Sequence, residues 1–498
     1  MIPRRLVPAL AILAIAITAP AARASSTQEL LIEDDHRLLE LSRGEQQEAL
    51  DHFQRLGVDR IRAAVWWGFM VTDADSASRP RGNPSRSGSR LYSRERWEML
   101  DSLVRGAHAR GIALTLNPAA ASGLSGTIYQ APRWAQLRGH SPDPLEFRRF
   151  VRALGRRYSG RYVPRGQSAP LPAVDDWSVW NEPNNAQFLR PQWKRKGDGW
   201  IAWSPVIYRE LYKRATDALR SSGHRGDRIY LGETAATGGG RRGPRASIAP
   251  GMFVRELTCM GPGLLAYAAR EARLRHCGRY SRLDTAGLAT HFYSPHSGTA
   301  PALAVSGDPD HWIPADPSRP GLLLGVLSAT GRLPGGLRVM NTEAGFQSSP
   351  RLASSLNEGD QALQTNLAEY LQYREPSVMS FAQYLMTDDP VWFTGLRYID
   401  GRPKAAYAAF RMPIVVRKFA PGPLGLGRAV VWGAALGRGP GRRVEILRDG
   451  VPLASVVPVN ERGYFEAIVS DPTPGAVFRL RDARTGTLSR PARVTPGL

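Results

Sequence analysis

Two glutamates occupy positions from which a folded chain could turn both onto one bond. Glu182 follows the aromatic and β-branched run Asp176-Trp177-Ser178-Val179-Trp180, which reads as a buried strand and breaks at Asn181-Glu182-Pro183-Asn184. Pro183 has no amide hydrogen and biases Glu182 toward an extended backbone, which places a carboxylate where a strand ends. Glu343 closes a second run, Arg338-Val339-Met340-Asn341-Thr342-Glu343, before Ala344-Gly345-Phe346. The two lie 343 − 182 = 161 residues apart, so only a fold that gathers strand ends can pair them. Two carboxyl groups across a glycosidic bond can protonate the leaving oxygen and attack the sugar or activate water. Glu233 ends a third strand but lacks the Asn and Pro that frame Glu182, so a structural or substrate-hydroxyl role is expected for it. Asn117, before Pro118, and Asp388 are further candidates for sugar hydroxyls.

The elements that position these residues alternate between strand and helix from Gln28 to Pro413. Strands are expected at Leu30–Asp34, Arg60–Trp67, Ile112–Leu116, Asp176–Trp180, Ile229–Glu233, Gly287–Tyr293, Arg338–Glu343 and Val378–Tyr384. Helical spacing follows most of them, with Ala49, Phe53 and Leu56 in the first helix and Trp97, Leu100 and Val104 in the second. Eight such units predict a closed (β/α)8 TIM barrel over residues 25–412, whose strand C-termini are where catalytic side chains sit. After Pro413 the texture changes to short β-rich runs separated by Asp449-Gly450 and Arg462-Gly463. These runs predict a small immunoglobulin-like β-sandwich over 413–498. Its Trp432, Tyr464 and Phe478 read as core rather than as sugar-stacking rings.

With these motifs in place the chain resembles glycoside hydrolase clan A, the retaining (β/α)8 enzymes that include families 5 and 39. The resemblance implies the general acid/base for Glu182 and the nucleophile for Glu343. It implies a contact to the sugar 2-hydroxyl for Asn181. For Arg62 it implies the arginine that keeps the nucleophile ionised, and for His291 and Tyr293 the strand-six pair beside it. The sequence departs from the clan at the end of strand eight, where Gln383-Tyr384 stands in place of a Trp and Trp392 follows eight residues later.

Composition adds context. Arg4 and Arg5, the apolar run Leu6–Ala19 and Ala22-Arg23-Ala24 read as a secretory signal peptide over 1–24, which leaves 498 − 24 = 474 residues. No later run approaches membrane length, so a secreted protein without an integral membrane segment is expected. The only cysteines, Cys259 and Cys277, are expected to form one disulfide in an oxidising compartment. No metal-ligand spacing, phosphate-binding loop or nucleophile elbow is present, so no metal or cofactor is expected. Net charge is +22, or 22 − 3 = +19 after the three leader arginines are removed.

Basic residues crowd three expected loops: Arg79, Arg81, Arg86 and Arg90; Arg190, Lys194, Arg195 and Lys196; and Arg241, Arg242 and Arg245. If that charge serves binding, the partner is an anionic cell-surface glycan, not nucleic acid. A neutral glycan would instead be held by Trp66, Trp67, Trp193 and Trp200, with Tyr384 a separate substrate-contact candidate. A polysaccharide-binding protein on an inactive barrel and a transglycosylase remain open beside a hydrolase.

Overall fold

The computed structural model describes residues 25–498 apart from 26, 123, 125, 138–140, 198, 240, 279, 349–354, 419–427, 454–456, 471–474 and 497; the expected leader over 1–24 lies outside the described residues. Eight parallel strands close into a barrel in chain order. They are β1 (Glu29–Glu33), β2 (Arg60–Trp66), β3 (Ala113–Ala119), β4 (Asp176–Ser178), β5 (Arg228–Thr234), β6 (Gly287–His291), β7 (Arg338–Glu343) and β8 (Val378–Tyr384). Eight main helices cover it: α1 (Arg43–Leu56), α2 (Arg94–Ala109), α3 (Pro144–Arg157), α4 (Ser204–Arg220), α5 (Pro250–Leu257), α6 (Arg319–Ala329), α7 (Glu358–Tyr373) and α8 (Ala405–Arg411). No helix among the described residues is long and apolar enough to cross a membrane.

The period of two along each strand sorts side chains between the inside and the outside of the barrel. Leu30, Ile32, Ile61, Ala63 and Val65 join the main core, under the helices. The alternate positions build layers inside. At the base, Arg60 binds Glu29 at 2.6 Å and Asp176 at 2.8 Å, and Arg228 binds Asp176 at 2.6 Å. Above them Leu31, Tyr230, Ala289, Met340 and Ala382 form a separate apolar cluster. The top layer is polar again: Glu33, Arg62, Asn117, Ser178, Glu233, His291 and Glu343, all buried. An apolar floor therefore lies under a charged layer at the strand C-termini.

Several helices are capped as their sequences dictate. Ser42 and Glu45 make a reciprocal capping box on α1, and Asp143 caps α3 ahead of Pro144. Helix α6 was not expected, because Pro-Gly-Leu-Leu-Leu-Gly-Val-Leu is apolar on all sides and shows no helical stripe. The return after β5 contains α5, and it carries the Cys259–Cys277 disulfide.

Beyond α8 the strands are antiparallel. Ile414–Lys418, Arg428–Ala434 and Tyr464–Ser470 form one sheet, and Arg443–Arg448 pairs with Phe478–Asp482 in the other. Ile414, Val431, Val444, Ile446, Phe478 and Leu480 from both sheets make a common core, which is the expected sandwich. Trp432 and Tyr464 are buried too, but against the barrel. Trp432 packs on Tyr370 and Tyr373 of α7, and the Tyr464 hydroxyl donates to Glu369 at 2.7 Å. Arg438 meets the same Glu369 at 2.7 Å.

Candidate active site

The chain between β4 and Asn185 is held by backbone and amide bonds rather than by a continuing ladder. The Trp180 amide donates to the Pro118 carbonyl and the Glu182 amide to the Glu233 carbonyl. Asn184 donates to the carbonyls of Ala235 and Ile248 and accepts from the Ala235 amide. These bonds turn Trp180 and Glu182 into the left-handed region, at φ 69° and 41°. Glu182 is thus not extended, as Pro183 led us to expect, and it lies four residues past the strand end. Such backbone conformations cost on the order of 1–3 kcal/mol each and persist where surrounding bonds over-determine them.

The turn aims Glu182 across the barrel mouth at Glu343. One oxygen of each carboxyl and a ring nitrogen of His291 all lie within 4.8 Å of one another. Nδ1 of His291 is 2.9 Å from Glu182 Oε1 and 3.3 Å from Glu343 Oε2, and its Nε2 is 3.6 Å from Glu233. Burial alone would discharge this ring, but Glu343, Glu182 and Glu233 outweigh it and push the His291 pKa up to about 10. His291 is therefore an imidazolium near neutral pH, with Nδ1 donating to Glu182 Oε1. Glu182, His291 and Glu343 are also the donor set that could hold a metal ion.

Glu343 is nine-tenths buried and its pKa is raised by burial, against the pull of His291 and Arg62. The Tyr293 hydroxyl donates to its Oε2 at 3.2 Å, and Arg62 Nη1 lies 3.4 Å from its Oε1. Arg62 also meets Glu33 at 3.0 Å and Glu233 at 2.5 Å, and donates to Asn181 Oδ1 at 2.7 Å. That last bond fixes the Asn181 amide with its nitrogen left as the donor for a ligand. Asn185, which the sequence reading passed over, donates to Glu182 Oε2 at 2.6 Å; its place three residues after Glu182 was the available signal.

Other sequence candidates are placed differently. Glu233 is fully buried and its carboxyl meets Arg62, His291 and Ser178, so it supports the site and does not face a sugar. Burial works against its charge, yet Arg62 and His291 hold its pKa below the usual carboxylate value. Asn117 is also fully buried: it donates to Ser178 and to the Trp180 carbonyl and accepts from Arg62. Asp388 is consumed by Lys404 at 2.7 Å and by the Gly395 amide, and anchors the loop that carries Trp392. None of the three is a sugar-hydroxyl contact.

Trp67 begins the short helix Trp67–Met70 and stacks on Phe150 behind the barrel wall, 1% exposed. Trp193 lies in a hairpin of Trp193–Lys196 and Gly199–Ala202, 4% exposed, with its indole bonded to the Ala246 carbonyl. Neither offers a face to a glycan. Trp66 is bonded to Asp35 at 3.1 Å and packed between Phe188 and Tyr129, so the exposed ring of that wall is Tyr129. The other wall is the trio Tyr293, Tyr384 and Trp392. Trp392 stacks on Tyr293 at 6.3 Å and meets Tyr384 edge-on at 6.1 Å. The ring missing from the end of β8 is thus supplied from the following loop. Gln383 instead donates to the carbonyls of Tyr384, Leu385 and Thr394 and shapes that loop.

Two acids at the end of β1 complete the floor. Glu33 is buried and its pKa is raised well above the usual value, by burial and then by Asp35 and Glu343. Asp35 accepts from the Ala64 amide and the Trp66 indole and is pushed up to about 7, chiefly by burial.

The basic loops divide as well. Lys194 and Lys196 sit over the Trp203 ring, and Arg242 over Trp193. Arg79 pairs with Glu146. Arg81, Arg86 and Arg90 do not stand over the mouth, because their loop runs along the flank to the end of α3.

No family model and no curated protein matches this sequence. Among solved structures the chain is similar to the GH5_18 enzyme from Streptomyces cattleya in complex with GlcNAc, at 15% identity over 77% of this chain and 78% of that one, TM-score 0.47. It is similar to a monomeric beta-xylosidase from Caulobacter crescentus CB15, at 16% identity over 90% and 94%, TM-score 0.48. A third is the endo-beta-1,4-mannanase from Thermotoga petrophila, at 12% identity over 95% and 98%, TM-score 0.42.

Proposed function

We propose that this chain is a secreted retaining glycoside hydrolase of the clan A type, with Glu343 as nucleophile and Glu182 as acid/base. The observation that carries the reading is the approach of the two carboxyl groups, oxygen to oxygen within 4.8 Å around one imidazolium. That separation suits direct attack by a carboxylate, whereas an inverting pair stands about 6.5–9.5 Å apart to admit a water.

In the first step Glu343 attacks the anomeric carbon while Glu182 gives a proton to the departing oxygen, and the glycosidic bond breaks. In the second, Glu182, now a carboxylate, takes a proton from water, whose oxygen attacks the same carbon and releases Glu343. Arg62, His291 and the Tyr293 hydroxyl stabilise the carboxylate of Glu343 before attack and when it leaves. His291 Nδ1 at 2.9 Å and the Asn185 amide at 2.6 Å orient the two oxygens of Glu182 toward the departing oxygen.

A carbohydrate substrate fits the walls of Tyr129 and of Tyr293, Tyr384 and Trp392, whose rings suit the apolar faces of sugars. Anionic units in the departing chain would meet Arg190, Arg242 and Arg245 at the rim, where Arg190 and Arg245 are close enough to repel each other. Export is supported by the leader-like 1–24 and by the Cys259–Cys277 disulfide. The test is the anomeric configuration of the first product, followed by NMR during hydrolysis of an aryl glycoside. Retention is expected, and inversion would overturn the reading.

A further inference from the structure

The reaction centre does not suit an acidic sugar. Glu33, Asp35, Glu182, Glu233 and Glu343 surround it, and among the described residues Arg62 and His291 are the cations that pair with them. The unpaired positive charge lies elsewhere. A cavity of about 700 Å³ opens on the outer flank between the loop 81–90 and the end of α3, lined by Arg81, Asn83, Arg86, Arg90, Arg156 and Tyr162 among others. Helix α3 ends where the chain turns back toward the start of β4, and Glu182 lies past the other end of that strand. The cavity is therefore separate from the catalytic cleft.

Three features make it more than a basic surface. No acidic side chain lines it, and none of its four arginines has an ion-pair partner among the described residues. One of the four is tied to the loop that carries the others. Arg156 donates to the Ser85 carbonyl, and its pKa is lowered by burial and by the charges of Arg152 and Arg86. The scaffold is also fixed in advance. The buried Arg157–Asp101 pair at 2.6 Å sends a further hydrogen bond to Ser87, and the Tyr92 hydroxyl donates to the Pro84 carbonyl. The loop that carries Arg81, Arg86 and Arg90 is thus fixed against α2 and α3, and an anion would lower the repulsion among their exposed guanidinium groups and that of Arg156.

We propose that this cavity is a binding site for a carboxylated or sulfated glycan segment, distinct from the catalytic cleft. Guanidinium forks match the two oxygens of a carboxylate or sulfate, and Tyr162 and the arginine stems give a sugar ring an apolar wall. The volume lies within the range of small-ligand sites and takes a short saccharide rather than a long duplex. The choice of a glycan over other polyanions rests on the glycosidase reading above; the choice of an oxyanion does not.

The experiment is calorimetry with a heparin hexasaccharide on the full chain, at low and at high salt. The proteins compared are the wild type, the double variant Arg86→Ser/Arg156→Ser and Glu343→Gln. Binding at low salt is expected in the wild type and in Glu343→Gln. A loss of about tenfold or more is expected in the double variant, comparable to one charge-assisted hydrogen bond. Turnover of a small aryl glycoside should be unchanged in the double variant, which separates this site from the catalytic one. Equal binding by wild type and double variant, or no binding by either, would overturn the proposal. So would a DNA oligonucleotide that binds as tightly as the hexasaccharide and is equally weakened, since the cavity would then select charge alone.

Discussion

Arg62 and Glu233 form an ion pair of 2.5 Å at the top of the barrel interior, with both side chains essentially inaccessible to solvent. The pair links the middle of β2 to the end of β5 and orients the guanidinium that also reaches Glu343, Glu33 and Asn181. Removing one partner of a buried pair leaves the other charged and uncompensated, at a cost of about 3–5 kcal/mol. Glu233→Ala is expected to lower the melting temperature and activity together, while Glu233→Gln keeps the shape and one acceptor oxygen and loses less. A Glu233→Ala protein as stable as wild type would remove Glu233 from this supporting role.

The pH profile follows from Glu343 and His291. Glu343 must be charged to attack, and its pKa is raised by burial, so kcat/KM should fall on the acid side above the ordinary Glu value of about 4.3. Tyr293→Phe deletes a donor to the charged form; the acid limb should move upward and kcat fall roughly tenfold or more. His291 has its folded pKa raised to about 10, above the unfolded value. Its stabilisation is therefore present below about pH 6.5 and lost as pH rises through about 10. A steady-state profile of wild type and Tyr293→Phe, with melts across the alkaline range, checks both signs.

Trp392 is positioned by a buried lysine. Lys404 donates to Asp388 and to the Phe393 carbonyl, and so holds the loop that brings Trp392 onto Tyr293 and Tyr384. Trp392→Ala should raise KM by up to about tenfold with little change in kcat, as expected for a lost aromatic contact of roughly 1 kcal/mol. Lys404→Met should raise KM similarly and also destabilise the fold. Unchanged KM in both would place the sugar away from this ring trio.

The C-terminal sandwich completes the barrel surface. Deleting residues 413–498 would uncover Tyr370 and Tyr373 and would leave Glu369 buried without Arg438 and Tyr464. The truncated barrel is expected to be insoluble or to melt well below the full chain. A soluble, fully active truncation would show that the sandwich is a detachable module.

The parts of this architecture that were legible in the sequence are those written in a short period. Short apolar and β-branched runs marked strands such as β1 and β2, and the breaks at Asn181-Glu182-Pro183 and Thr342-Glu343-Ala344 marked the ends of two more. What lies between elements was less legible. Trp66 and Trp67 are adjacent, yet the second starts a helical turn that swings its ring onto Phe150. For Glu233 the sequence left a structural and a substrate-hydroxyl role open, and Arg62, Ser178 and His291 around it favour the structural one, because pairing across strands has no local signal. The course of the long loop after β2 has no periodicity at all, so Arg81, Arg86 and Arg90 were expected over the active face and lie on the flank.

The central claim is that Glu343 forms a covalent bond to the sugar and that Glu182 then activates the water which breaks it. Glu182→Gln removes the acid/base but spares the nucleophile. With a dinitrophenyl glycoside, whose leaving group needs no proton, the first step should proceed and the second should stall. Intact-mass spectrometry of Glu182→Gln, mixed with such a substrate and quenched, should show one added glycosyl unit, mapped by peptide analysis to Glu343. No adduct despite a burst of dinitrophenolate, or an adduct on Glu233, would contradict the account.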